Sequence, residues 1–99
     1  MKPYKLKHIP TGLYYQPHKH RGANISERGK IYQTGTHGLS YAFKRFDMYP
    51  NESRFRIYVE KDSRIHKKLK DLFIWVECSW AYNQMEGETL VSDWIIEEI

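Results

Sequence analysis

The sequence predicts a small α+β domain, a short antiparallel sheet carrying two short helices, in one unit over residues 1–99. Three observations predict it. Ninety-nine residues can enclose one core but not two. The balance of 40% apolar to 28% charged residues is that of an ordinary globular chain. Runs of strand-type residues between Pro and Gly breaks outnumber the two stretches with helical spacing.

Tyr4 to His8 reads as extended. Pro10-Thr11-Gly12 supplies turn chemistry, and Leu13-Tyr14-Tyr15-Gln16 returns as a strand, giving an N-terminal hairpin. From Pro17 to Gly29 the chain is polar and reads as a loop, with at most one helical turn begun at Asn24 or Ser26. Lys30 to Thr34 is a short strand candidate. After Thr34-Gly35-Thr36-His37-Gly38, Leu39, Ala42, Phe43 and Phe46 fall at i, i+3, i+4 and i+7, one face of a helix that ends before Pro50. Tyr49 to Glu52 then turns the chain.

Phe55, Ile57 and Val59 alternate with Arg54, Arg56, Tyr58 and Glu60, the clearest strand pattern in the sequence. Asp62 or Ser63 then caps a second helix with Ile65, Leu69, Leu72 and Phe73 inward and Lys67, Lys68 and Lys70 outward. Phe73 to Tyr82 and Leu90 to Ile96 read as the arms of a C-terminal hairpin turning at Asn83–Glu88 around Gly87. A short helix over Ser92–Ile99 is the alternative for the last segment.

Charge divides the chain. Residues 1–75 hold all 16 Lys and Arg against six acids, a balance of +10, while residues 76–99 hold six acids and no base, −6. The tyrosine-rich basic body suits phosphate backbones through counterion release. Equally, the acidic segment can fold against the body and neutralise it. No apolar run of 18 residues exists to cross a membrane. The basic start Met1–Lys7 is followed by no apolar h-region, so no secretory signal is expected. Cys78 is alone, which rules out an internal disulfide and leaves the cytoplasm as the expected compartment.

Candidate chemistry is sparse. His18 and His20 would share a strand face, but Lys19 and Arg21 beside them repel a dication, and partners such as His37 or Cys78 lie at no recognised zinc spacing. A solvated basic loop is the better reading, and no metal or other cofactor is expected. His37, next to Gly38 at a helix start, suits an anion held by backbone N–H groups. The simpler reading is that Thr36 caps the helix and His37 is exposed. Cys78, in an apolar run, reads as a small core residue, and Trp75, Trp80 and Trp94 read as core. Walker, dinucleotide and nucleophile-elbow motifs are absent from the sequence. Tyr14, Tyr15, Lys19, Arg21, Arg28, Lys30 and Tyr32 interleave rings with cations, and Arg54 and Arg56 beside Tyr58 form a second such face. Rings stack on bases while cations follow the backbone, although tyrosines serve protein interfaces equally well.

His8-Ile9-Pro10-Thr11-Gly12-Leu13-Tyr14-Tyr15-Gln16-Pro17, followed by Asn24-Ile25-Ser26-Glu27-Arg28-Gly29-Lys30-Ile31-Tyr32, resembles small uncharacterised proteins of tailed bacteriophages with a PTGLYY-x-P … N-[LI]-S-x-x-G-K-[VI]-Y pattern. The motif covers about a third of the chain and excludes the acidic segment. The resemblance implies a small accessory protein in the cytoplasm of a bacterial host, with no activity or functional residue to carry over. The expectation is a binding module, more non-enzymatic than enzymatic, acting on nucleic acid or host nucleic-acid machinery. The alternative is an inhibitor or modulator of a host protein, for example a defence or metabolic enzyme. Behind both stands a small enzyme using His37 with Ser40, or His18 and His20.

Overall fold

In a computed structural model, which describes residues 3–16, 24–32, 54–79 and 81–99, β1 (Tyr4–His8) and β2 (Leu13–Tyr15) form the expected antiparallel hairpin. Thr11 locks the turn. Its hydroxyl accepts from the Leu13 N–H at 3.2 Å and lies 2.9 Å from Nδ1 of His8. Beside β2 runs β3 (Ile25–Ser26), and on the far side of β1 runs β7 (Trp94–Glu98), giving the order β3-β2-β1-β7 with every pairing antiparallel.

A second antiparallel sheet contains β4 (Arg54–Glu60), β5 (Val76–Glu77) and β6 (Gln84–Leu90) in the order β4-β6-β5. Its longest pairing runs from Arg54 opposite Leu90 to Glu60 opposite Gln84. A single 3-10 turn, Val91–Asp93, carries the chain from β6 in this sheet to β7 in the other. The one expected sheet is therefore two.

Between β4 and β5 lies α1 (Arg64–Lys68), capped by the Ser63 side chain accepting from the His66 N–H. It is shorter than the apolar spacing suggests. The Leu69 carbonyl accepts from the Leu72 N–H and from Nε1 of Trp75 at 3.1 Å, so the chain leaves the helical ladder there. Leu69 and Phe73 still reach the core, while Leu72, assigned to the same face, is 59% exposed. This is the one helix among the described residues, and antiparallel strands dominate them. The helix expected over Leu39–Phe46 lies outside the described residues. Of the strand expected at Lys30–Thr34, Tyr32 makes an isolated bridge to Tyr4, and Gln33 and Thr34 lie outside the described residues.

The C-terminal hairpin differs from expectation. Its turn falls before Gln84, closed by Asn83 at φ 60°, a conformation Asn tolerates better than most residues. The stretch Gln84–Glu88, expected to be the turn, belongs to β6. Gly87 misled the reading because its missing side chain looks like a break. A Cβ there would stand 3.0 Å from the Trp75 ring, so the glycine makes room for the indole. Over Ser92–Ile99 the chain forms the end of the 3-10 turn and then a strand, not a helix.

Alternation decides what is buried. Tyr4, Leu6 and His8 from β1, Leu13 and Tyr15 from β2, and Phe55, Ile57 and Val59 from β4 all turn inward with Trp94 and Met85. Each aliphatic, Phe or Met side chain among them contributes about 1.5–3 kcal/mol through its burial. Tyr15 and Trp94 both meet Phe55 edge-on, at 5.5 and 5.3 Å between ring centroids. Thr89 Oγ1 donates to the Phe55 carbonyl at 2.7 Å and accepts from Nε1 of Trp94 at 2.9 Å, so the polar atoms of this centre are satisfied.

Asn24 ties one sheet to the other. Buried at 6% exposure, it accepts from the Tyr58 N–H at 2.7 Å through Oδ1 and donates to the Arg56 carbonyl at 3.1 Å through Nδ2. Its own N–H donates to the Tyr58 carbonyl at 3.0 Å. The side chain thus acts as a length of backbone laid along β4.

Candidate nucleic-acid interface

The outward side chains of the first sheet follow from its register. Lys5 and Lys7 alternate out of β1, Tyr14 stands opposite Lys7 on β2, and Glu97 stands opposite Lys5 on β7. They close into a cluster. Tyr14 donates its hydroxyl to Oε1 of Glu97 at 2.7 Å, Lys7 Nζ approaches Oε2 at 3.2 Å, and Lys5 Nζ sits 5.0 Å from the Tyr14 ring centroid. The Tyr14 hydroxyl bond, and then Lys7, hold the Glu97 carboxyl below the usual carboxylate range.

The segment after β3 packs onto this cluster. The Ser26 hydroxyl accepts from the Gly29 N–H at 2.8 Å, and Lys30 donates its N–H to the Tyr15 carbonyl at 3.0 Å. Gly29, at φ 72°, brings its backbone so close to Tyr14 that a Cβ would collide with the tyrosine Cβ. Lys30 then reaches over the Tyr32 ring at 5.4 Å, and Tyr32 stacks on Tyr4 at 5.3 Å with the planes 14° apart. Two lysine-over-tyrosine pairs therefore flank one short segment that also exposes Arg28.

These contacts sort the expected site residues. Arg28 and Lys30 are exposed on the segment that packs against Tyr14, whereas Tyr32 bridges inward-facing Tyr4, stacks on its ring and packs against the core. Tyr15 does not join Arg28 and Lys30. At 2% exposure it points into the core, because it shares its strand parity with Leu13, so its proposed contact with a ligand is corrected to a packing role. Lys19 and Arg21 lie outside the described residues, as do His18, His20, His37 and Ser40. Lys5 and Lys7 were missed, although the alternation Tyr4-Lys5-Leu6-Lys7-His8 places both on the face that receives Tyr14.

Arg54 and Arg56 stand on the outer face of the second sheet and already have anionic neighbours. Arg54 meets Glu88 at 2.9 Å and Arg56 meets Glu86 at 3.4 Å. Tyr58 also donates to Glu86, at 3.4 Å, and burial followed by the Glu86 charge pushes its phenol up to about 12. With Lys61–Glu77 and Lys7–Glu97, four acids of the segment 76–99 pair with cations of the body. Surface pairs of this kind add little to stability, but they reshape the field. On the β4 face the acidic segment pairs with both arginines, Arg54 and Arg56.

Two recesses open among the described residues. One, of about 560 Å³, is lined by Lys61, Glu77, Cys78, Tyr82 and Asn83 among others. Cys78 is half-buried there, not enclosed in the core, and burial together with Glu86 pushes its thiol up, so it stays protonated and weakly nucleophilic. The other, of about 230 Å³, lies between the first turn and the end of β6, with His8 in its wall. Burial lowers the His8 pKa, with Asp93 opposing. Among the described residues no three His, Cys, Asp or Glu side chains are grouped to hold a metal ion, and no helix is long and apolar enough to cross a membrane. Compared with known proteins, the chain matches no family model, no curated protein and no solved structure.

Proposed function

We propose that this protein is a non-enzymatic binding module for nucleic acid, in the bacterial-host setting that the phage-type motif implies, with Lys5, Tyr14, Arg28, Lys30 and Tyr32 as its contact surface. The observation that carries the reading is the pair of cation–ring contacts, Lys5 over Tyr14 and Lys30 over Tyr32, on either side of the loop that exposes Arg28. Cations held against aromatic faces bring phosphate-binding charge beside the rings, with Tyr32, itself packed on Tyr4, positioning Lys30. Lys7 contributes less, since Glu97 already takes its charge.

Fluorescence polarisation with labelled single- and double-stranded oligonucleotides tests this. With three cations engaged, log K against log salt has a slope of about −2 to −3. Replacing Lys5 and Lys30 by Ala weakens binding and makes the slope shallower by one to two. No binding at low salt ends the proposal, and an equal loss from replacing Lys67 and Lys68 on α1 together with Lys70 just after it places the surface elsewhere.

A second reading, a binder of a host protein, draws on a different surface. Ile74 is 90% exposed and Tyr82 83%, with Leu72 and Val76 exposed in the same stretch, a concentration of apolar side chains that favours protein contact. A pull-down from nuclease-treated bacterial lysate tests it. A stoichiometric partner that is lost from the Ile74→Asp variant supports the reading, and recovery of no such partner removes it.

A further inference from the structure

The recess of about 230 Å³ beside the first turn has features that neither reading uses. Its wall combines Pro10, Leu72, Phe73 and Leu90 with three ionisable groups, His8, Glu88 and Asp93. His8 is 1% exposed, and its ring lies 5.0 Å from Trp94 and 6.0 Å from Phe73 between centroids. Nδ1 is engaged by Thr11 Oγ1 at 2.9 Å, while Nε2 makes no hydrogen bond among the described residues. In the tautomer that donates from Nδ1 to Thr11, Nε2 keeps a bare lone pair. Nε2 is not among the fully buried atoms, so on this otherwise buried ring the lone pair is reachable from the recess.

Asp93 adds a half-buried carboxylate to the same wall. Its backbone carbonyl accepts from the Ile9 N–H at 2.8 Å, but its carboxylate has no ion pair or hydrogen bond among the described residues. Glu88 differs from the other three paired acids of the segment 76–99 in that it also lines this recess while holding Arg54. The space admits roughly seven waters by volume, too little for a drug-sized ligand and enough for one long side chain. Acceptors at the polar end and leucine and phenylalanine along the walls match an apolar stem with a cationic head.

We infer that this recess is a pocket for an alkylammonium or guanidinium group, the chemistry shared by the end of a lysine or arginine side chain and by a small free amine. Asp93 faces the charge, Nε2 of neutral His8 accepts one N–H, and Phe73, Leu72 and Leu90 hold the stem. The pocket stands apart from the Lys5–Tyr14 surface and does not depend on nucleic-acid binding.

Amide NMR of the full chain, titrated with butylammonium, butylguanidinium and a blocked arginine tripeptide, tests the inference, with butanol as the uncharged control. The expected result is saturable shifts at Thr11, Phe73 and Asp93 with the cations at millimolar concentration and none with butanol. Asp93→Asn weakens them roughly tenfold, the loss of one charge-assisted hydrogen bond, and Glu88→Gln weakens them to a lesser degree. Tighter saturation by the tripeptide assigns the pocket to a partner's side chain, and equal saturation assigns it to a free amine; both support it. Absence of saturable shifts overturns the inference. So does an equal weakening by Glu98→Gln, a tail acid outside the pocket, since that result marks diffuse attraction only.

Discussion

Replacing Asn24 by Ala removes the side chain that joins the two sheets, and the cost can be worked from its bonds. Oδ1 serves the Tyr58 N–H at 2.7 Å and Nδ2 serves the Arg56 carbonyl at 3.1 Å, on a residue 6% exposed. Each bond is worth about 1 kcal/mol net, and a partner left buried and unpaired costs about 1–3 kcal/mol. Because both bonds are only part-buried, about 1–2 kcal/mol for each unpaired partner gives a loss of about 2–4 kcal/mol, a large share of the ~5–15 kcal/mol typical of a domain. For a chain of this length it lowers Tm by roughly 10–30 °C. Urea and thermal unfolding followed by circular dichroism measure it. Asn24→Asp sharpens the test, because the carboxylate still accepts from Tyr58 but opposes the Arg56 carbonyl. Relative to the unsubstituted protein, its penalty shrinks as acid restores a donor. A loss below about 0.5 kcal/mol for Asn24→Ala refutes the assignment of Asn24 as the joint between the sheets.

Two further outcomes follow from the same contacts. Burial lowers the His8 pKa, so between the ordinary value near 6.5 and the lower folded value the unfolded chain binds a proton that the folded chain refuses. Stability is therefore full above pH 6.5 and falls as pH drops below it. The urea midpoint decreases from pH 7.5 to pH 5.5, and His8→Gln flattens that decrease; a midpoint that rises on acidification contradicts the burial of His8. Gly29→Ala forces a side chain into the left-handed region and against Tyr14, costing about 2 kcal/mol or more. It also displaces Lys30 from Tyr32, so nucleic-acid affinity falls with stability, and an Ala variant of unchanged midpoint refutes the close approach.

The parts of the fold that sequence revealed are those fixed by neighbours in the chain. Alternation at Phe55, Ile57 and Val59, turn chemistry at Pro10–Gly12 and the Ser63 cap are local, and each appears where expected. Strand β6 was read as a turn because its strand character comes from pairing with β4, about 30 residues earlier, and from the Trp75 ring that uses the space at Gly87. The site divides the same way. Lys5, Lys7 and Tyr14 on one face, and Tyr15 on the other, are consequences of a two-residue period. The Tyr14–Glu97 bond spans 83 positions, and nothing local marks it. The motif residues are given largely to construction: Asn24 joins sheets, Ser26 and Gly29 shape the loop, and Thr11 holds His8.

The pairing of β1 with β7 sets a schedule for biosynthesis. Residues 4–8 leave the ribosome first of all the strands, yet their neighbour on one side is residues 94–98, and the Ile99 N–H closes on the Pro3 carbonyl at 2.9 Å. At ordinary elongation rates the gap of 90 residues lasts ~5–20 s, during which β1 has an open edge and the inward ring of Tyr4 lacks its full cover. A ribosome stalled before Trp94 therefore displays a strand with unpaired amides, a target for chaperones and proteases. The same adjacency makes residues 3 and 99 natural points to connect. A short linker between them, with a new opening at the exposed turn near Tyr82, yields a permuted chain in which β1 and β7 emerge together and the waiting period disappears.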